Sequence, residues 1–248
     1  MKLKEDILSS FQSISLEQMD SVKLLNRVDT KFIFNLDRLP EVLSDLGDQY
    51  YILETDGQRL YPYLTTYFDT DQFSAYVNHH NGKLNRHKVR IRTYVTSNQH
   101  YFEIKFKDNK KRTIKTRIRV PDNEPVISGE KEKLLLKHSP YTANELSPKL
   151  TVKFSRMTLV SKKMNERITL DTNLIFIHDQ LEKSYDGLMI AEVKQGKTEV
   201  SPFIRRLHHL HVNPARLSKY CIGVISMYDG IKYNQFKETL LNINKLVS

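Results

Sequence analysis

Lys88-Val89-Arg90-Ile91-Arg92 alternates a cation with an aliphatic residue at every step. Successive side chains of a strand point to opposite faces, so this stretch predicts one ionic row and one apolar row on a sheet. The design recurs along the chain. Arg27, Asp29 and Lys31 alternate with Val28, Thr30 and Phe32; Glu103, Lys105 and Lys107 with Phe102, Ile104 and Phe106. Thr113, Lys115, Arg117 and Arg119 alternate with Ile114, Ile118 and Val120, and Arg167, Thr169 and Asp171 with Ile168 and Leu170. Runs of period two cover residues 27–34, 50–54, 63–69, 88–95, 100–107, 112–120, 150–160, 166–171 and 188–194, predicting eight or nine strands.

Helical signals lie at both ends and between the strands. Ser15-Leu16-Glu17-Gln18 reads as a capping box ahead of Met19, Val22 and Leu25, so residues 1–26 are expected to form an N-terminal helical segment. Further helices are predicted over 37–46, 71–79 and 129–138. Ser201-Pro202 supplies a cap and an N1 proline before a helix over 203–210; helices over 217–228 and 235–247 complete a C-terminal segment, 201–248. Asn81-Gly82 and Asp108-Asn109 mark turns. The sequence carries neither a repeat nor a linker, which predicts a single α+β domain over 1–248.

Charged residues make up 27% of the 248 and hydrophobic ones 39%, a core-forming composition that excludes wholesale disorder. No run approaches the ~18–20 apolar residues of a membrane-spanning helix; the nearest is 220–228. The start, Met1-Lys2-Leu3-Lys4-Glu5-Asp6, lacks an apolar signal region, and the single cysteine, Cys221, has no partner for a disulfide. The expectation is a cytoplasmic protein without a membrane segment. Lys and Arg total 39 against 29 Asp and Glu, a net charge of +10 that predicts a polyanionic partner. Net charge alone leaves nucleic acid, anionic lipid, phosphorylated small molecules and inorganic phosphate chains open.

The placement of the charge narrows the choice. An antiparallel sheet with one face in water also alternates, but solvated faces mix acids with bases, whereas these are mostly Lys and Arg. Like charges opposite one another on neighbouring strands repel. Closing the sheet into a barrel would gather the cationic rows around a cavity, with amphipathic helices over the apolar outside, and an anion would neutralise them. Single-stranded nucleic acid calls for aromatic platforms beside the positive charge, and these rows alternate with aliphatic residues and phenylalanines that face away. A mixed Lys and Arg set suits a triphosphate or polyphosphate. Phosphoryl transfer also calls for a metal held by an oxygen ligand among the bases. In Leu188-Met189-Ile190-Ala191-Glu192-Val193-Lys194, Glu192 and Lys194 share a face, making Glu192 the candidate ligand; an ion-pair partner for the cations is the alternative, as for Asp29, Glu103 and Asp171.

The ordered series Lys31, Tyr67-Phe68-Asp69-Thr70, His79-His80-Asn81-Gly82, Lys88-Val89-Arg90-Ile91-Arg92, Phe102-Glu103-Ile104-Lys105, Lys115-Thr116-Arg117, Arg167-Ile168-Thr169-Leu170-Asp171, Ala191-Glu192-Val193-Lys194 and Ser218-Lys219-Tyr220 resembles the catalytic domain of the vacuolar transporter chaperone family of polyphosphate polymerases, within the triphosphate tunnel metalloenzyme superfamily. The resemblance spans about 27–227. It implies a closed antiparallel eight-stranded β-barrel that takes ATP with Mn2+ or Mg2+ and transfers the γ-phosphoryl group to a growing inorganic polyphosphate chain. Lys31, Arg90, Arg92, Lys105, Arg167 and Lys219 would then be catalytic; Lys115, Arg156 and Lys194 would join them in holding phosphates, and Glu192 would hold the metal. Arg156 shares parity with Val152 and Phe154 and breaks the alternation of its strand. Tunnel hydrolases carry a Glu-x-Glu-x-Lys first strand where this chain has Arg27, Asp29 and Lys31, and fewer acids favour retaining a long anion over hydrolysing a short one. The rivals are a triphosphatase in the same tunnel, a non-catalytic polyphosphate- or nucleotide-binding module and, more distantly, an RNA-binding protein. ATP and polyphosphate are the expected partners; nucleic acid is not.

His79-His80 and His208-His209 with His211 invite a zinc reading, but adjacent helical histidines point about 100° apart and cysteine partners are absent. They are expected on helix surfaces, with His80 near a tunnel mouth. Cys221, in an apolar helical stretch, is expected to be a packed thiol. Lys110-Lys111-Arg112 reads as a solvated turn.

Overall fold

Each period-two run falls on a strand. The computed structural model describes residues 5–20, 27–196 and 200–248. In chain order it contains α1 (Glu5–Ser9), β1 (Gln12–Ile14), α2 (Leu16–Asp20), β2 (Arg27–Asn35), α3 (Leu39–Leu43), β3 (Tyr50–Leu53), β4 (Tyr61–Asp69), α4 (Ser74–His80), β5 (Arg86–Tyr94), β6 (Gln99–Lys107), β7 (Thr113–Val120), α5 (Glu130–His138), β8 (Ser147–Ser161), β9 (Glu166–His178), β10 (Leu181–Tyr185), β11 (Leu188–Gly196), α6 (Pro202–His209), α7 (Lys219–Met227) and α8 (Lys237–Val247). The capping box forms: Gln18 N–H donates to Ser15 Oγ at 3.2 Å and Ser15 N–H to Gln18 Oε1 at 3.0 Å. It caps only α2, because the expected N-terminal helix is split by β1; Val22 and Leu25 lie outside the described residues. No described helix is long and apolar enough to cross a membrane.

The fold is α+β, and among the described residues one sheet of eleven strands contains the path β2-β11-β9-β8-β4-β5-β6-β7, antiparallel throughout; β10 adds to β9, and β3 joins β8 while pairing in parallel with β1. The expected closure of eight strands into a barrel does not occur, since β2 and β7 are the two ends of that path. The outer edge of β2 is occupied by the chain before α7: Ala215 N–H donates to the Lys31 carbonyl at 2.8 Å and Pro214 bridges Phe32. That segment takes the backbone groups β7 would need. Lys31 at one edge and Lys115 and Arg117 at the other would also bring like charges together.

The sheet nevertheless curls: Lys31 of β2 and Arg86 of β5, five places apart in the strand order, line one cavity. Its convex face is apolar. Phe32, Ile168, Leu170, Met157, Leu159, Met189 and Val193 are buried under Leu39, Val42 and Leu43 of α3 and Phe203 and Leu207 of α6, each burial worth roughly 1.5–3 kcal/mol. Farther round, Leu135 of α5 covers Val89, Ile91, Phe102 and Ile104. The concave face divides in two. Ile33, Leu150, Val152, Phe154, Leu174, Phe176, Leu188 and Ile190 pack with Tyr220, Cys221 and Val224 of α7. Gly223 permits that approach, since a Cβ there would stand 2.3 Å from Leu150 Cδ2 and 2.8 Å from Phe176 Cδ1. Beyond these residues the same strand faces turn ionic.

A bulge makes this division on β9. Asn173 sits at φ 52°, and the register with β8 shifts from Lys153 opposite Ile175 to Ser155 opposite Thr172. The offset puts Leu174 and Phe176 on the face that carries Asp171, Thr169 and Arg167. It also ends the clean alternation, which is why the predicted strand stopped at 171.

Candidate anion-binding site

Three carboxylates stand on the ionic half of the trough, each between two cations. On β11, Glu192 lies opposite Lys31 of β2; its Oε1 is 3.5 Å from Lys31 Nζ and its Oε2 2.5 Å from Lys194 Nζ. On β9, Asp171 receives Arg156 of β8 side-on, Nε to Oδ1 at 2.6 Å and Nη2 to Oδ2 at 2.8 Å, and Lys219 from the first turn of α7. On β6, Glu103 accepts Arg90 Nε of β5 at 2.8 Å and pairs with Lys115 of β7 at 3.4 Å. Burial alone would raise all three carboxyls. The flanking cations instead carry Asp171 down to about 2 and hold Glu103 and Glu192 well below the usual carboxylate range.

Lys88, Arg92 and Lys105 share this face, and no carboxylate lies within ion-pair distance of them among the described residues. Lys88 Nζ donates to Ser218 Oγ, the N-cap of α7, at 2.8 Å; Arg92 Nε reaches Thr65 Oγ1 at 3.4 Å. The Lys105 ammonium is pushed well below the ordinary lysine value by Arg90, by burial and by Arg92, against the opposing pull of Glu192 and Glu103. Burial lowers Lys88, with Lys31 and Arg86 adding to it. The trough therefore holds more positive charge than its own acids neutralise, which is the electrostatic signature of a polyanion site.

Tyrosines from β4 floor the trough, a role that sequence reasoning did not assign even to Tyr67, which stands in one of the quoted motifs. Tyr63 stacks on Phe154 at 5.2 Å between ring centroids and Tyr67 on Tyr220 at 5.0 Å, with Arg92 over Tyr63 and Arg90 over Tyr67. Burial pushes the Tyr67 phenol up, but Arg90, Arg92 and Lys88 together bring it below its ordinary value. The parity of Tyr61, Tyr63, Thr65 and Tyr67 was the available signal. Asp69, at the end of the same row, is fully buried; its carboxylate accepts from the N–H groups of Thr70, Ala75 and Tyr76 and from the Tyr220 hydroxyl. This joins α4 to α7 and fixes Ser218 and Lys219 against the cationic rows.

The VTC domain matches residues 26–228, most of the chain. This chain belongs to the VTC domain family. The resemblance drawn from the ordered motifs is thus borne out. No curated relative matches. Among solved structures, a candidate adenylate cyclase from Vibrio parahaemolyticus is 12% identical with a TM-score of 0.46, covering 81% of this chain and 99% of its own. A candidate adenylyl cyclase from Hippeastrum, described as having a dominant triphosphatase activity, is 11% identical with a TM-score of 0.48 over 82% and 98%. A Pyrococcus horikoshii protein is 13% identical with a TM-score of 0.45 over 79% and 98%.

In this VTC domain Lys31, Arg90, Arg92, Lys105, Lys115, Arg156, Lys194, Lys219 and Glu192 all meet on the ionic half of the trough. Arg156 belongs there because the face turns from apolar to charged between it and Phe154. Arg90 is buried, held by Glu103 and by the Tyr67 hydroxyl at 3.3 Å. Arg167 points to the end of the trough beneath α2, where its Nη2 donates to the Met19 carbonyl at 2.9 Å. Two histidine expectations need correcting. His80 is buried against Phe236, with Gln235 N–H donating to its Nε2 at 3.3 Å, and half-buried His79 places Nδ1 3.0 Å from Cys221 Sγ of α7. Burial and the charges of Lys88, Arg86, Lys31 and Arg216 drive His79 down to about 2, so it stays neutral. His208, His209 and His211 are exposed, and Cys221 is buried. The 110–112 turn is exposed, its amides bound to Asp108 Oδ1.

No group of three His, Cys, Asp or Glu among the described residues could form a protein-only metal cage. Mg2+ and Mn2+ at phosphate sites commonly take one or two carboxylates together with substrate phosphate oxygens. Glu192 fits that mode. Its side chain is 20% exposed on the trough, whereas Glu103 and Asp171 are 0% and 3% exposed and locked to arginines.

Proposed function

We propose that this VTC domain is a metal-dependent polyphosphate polymerase, transferring the γ-phosphoryl group of ATP to an inorganic polyphosphate chain lying along the trough. The carrying observation is the surplus of cations over three carboxylates that those cations keep ionised. Lys88, Arg92 and Lys105 would take the phosphates, while Lys31, Lys194 and Lys219 exchange part of their carboxylate contacts for phosphate oxygens. A divalent ion held by Glu192 and the phosphates would offset charge on the transferring group. The depressed carboxyls are weak proton acceptors, poorly suited to activating water. A terminal phosphate oxygen of a chain is already anionic and needs no base, which favours transfer over hydrolysis. The fixed cations would hold attacking and leaving groups in line, the positioning on which phosphoryl transfer depends. Incubating the pure protein with ATP and Mn2+ and resolving the products on a gel tests this. Long phosphate chains are expected. Orthophosphate alone would mean a triphosphatase, and intact ATP with tight polyphosphate binding a non-catalytic module.

A further inference from the structure

Between β2, the end of α4 and the start of β5 lies a cavity of about 250 Å3. Lys31 and Asp29 of β2, His79 at the end of α4, Arg86 at the start of β5, Arg216 and Gln235 line it. Ala215, whose N–H occupies the β2 edge, forms part of the same wall. Lys31 is common to the cavity and the trough, since its ammonium also faces Glu192 at 3.5 Å. That residue thus borders both spaces.

The chemistry of the walls is that of an anion site. Lys31, Arg86 and Arg216 outnumber the single carboxylate, Asp29, which lies beside Lys194. Arg86 Nη1 donates to the Lys83 carbonyl, and no carboxylate lies within ion-pair distance of either guanidinium among the described residues. Arg86 and Arg216 feel each other's charge, and His79 between them is kept neutral, a donor or acceptor that adds no charge. Two guanidiniums and an ammonium around a polar cavity match the oxygens of a phosphate group.

We infer that this cavity is a second phosphate subsite, which holds units of a polyphosphate chain beyond those lying on the trough. The inference rests on the proposed function. Lys31 lines both spaces, so a chain on the trough that passes it meets Arg86 and Arg216. Tripolyphosphate is short enough to be held by the trough alone, whereas a long chain engages both spaces, and linked sites multiply affinity without new contacts elsewhere.

Chain-length dependence tests the subsite. Arg216→Gln and Gln235→Glu alter exposed positions, so the fold is retained, and thermal melting verifies this for each variant. Dissociation constants for tripolyphosphate and for long-chain polyphosphate are measured at fixed ionic strength. Both variants are expected to bind long chains on the order of tenfold more weakly. Their affinity for tripolyphosphate should stay within about twofold of the parent protein. Unchanged long-chain affinity would overturn the subsite, and so would an equal loss for both ligands, which would place these residues in the triphosphate site itself. Failure of the parent protein to bind tripolyphosphate would instead overturn the reading of the trough, so the two results are separable.

Discussion

Glu103→Gln removes a carboxylate while keeping its shape. Glu103 is fully buried, and the Arg90 side chain it holds is 5% exposed, so the substitution leaves a guanidinium with little water and no counter-ion. Breaking a buried pair this way costs about 3–5 kcal/mol. The partner Lys115 is 41% exposed and adds at most ~1 kcal/mol after screening, so Arg90 dominates the loss. At about 2–4 °C per kcal/mol for a chain of this size, the melting temperature should fall by roughly 6–20 °C. The pH dependence carries a second signature. Burial opposes ionisation of Glu103, but Arg90, Arg92 and Lys115 hold its folded-state pKa well below the unfolded value near 4.3. Its contribution is therefore complete above about pH 4.3 and is lost as pH falls toward the depressed value. Differential scanning calorimetry from pH 3 to 8 should show the variant less stable near neutrality and flatter on the acid side. A melting temperature within about 2 °C of the parent, well under the shift expected of a broken buried pair, would refute the reasoning.

Lys105 makes binding take up protons. Between its depressed pKa and the ordinary lysine value near 10.5, the free protein holds it partly neutral, and a bound polyanion restores the charge. Calorimetric titration of tripolyphosphate in buffers of different ionisation enthalpy should detect uptake in that window; identical enthalpies would contradict it, and Lys105→Arg should abolish it. Glu192→Gln is expected to remove turnover while tripolyphosphate binds as tightly or tighter, because a negative charge leaves a cationic trough; parallel loss of binding would sink the metal assignment. Gly223→Ala should cost about 1–3 kcal/mol through overpacking against Leu150 and Phe176, read by denaturant unfolding, and an unchanged midpoint would mean that α7 does not press on these residues.

The faces of the strands were legible because alternation maps directly onto a pleated sheet: Lys31, Arg90, Lys105 and Glu192 project as their parity requires. Pairing was not legible. That Asp171 serves Arg156 and Lys219, or Glu103 serves Arg90 and Lys115, depends on hairpin registers set by the turns and, for Lys219, on where α7 docks, neither of which the alternation alone encodes. The closed barrel failed on a backbone feature, since residues 213–216 carry nothing that announces an edge-capping segment. β10 was invisible because four of its five residues are exposed and give no apolar beat. The α4 histidines were misplaced for a related reason: only tertiary contacts, His79 with Cys221 of α7 and His80 with Gln235 and Phe236, turn them inward.

The central claim is that the trough is built for linked phosphates, and thermal stability at matched ionic strength tests it most directly. Tripolyphosphate bound to the folded state should raise the melting temperature in proportion to the logarithm of its concentration, by about 2.7 kcal/mol of added stability at a hundred times its dissociation constant. Chloride at the same ionic strength only screens. Single-stranded RNA should add little, because the aromatic rings that could stack its bases are already paired, Tyr63 with Phe154 and Tyr67 with Tyr220, beneath arginines. Stabilisation by RNA equal to or greater than that by tripolyphosphate would contradict the account and make the ionic face a nucleic-acid surface.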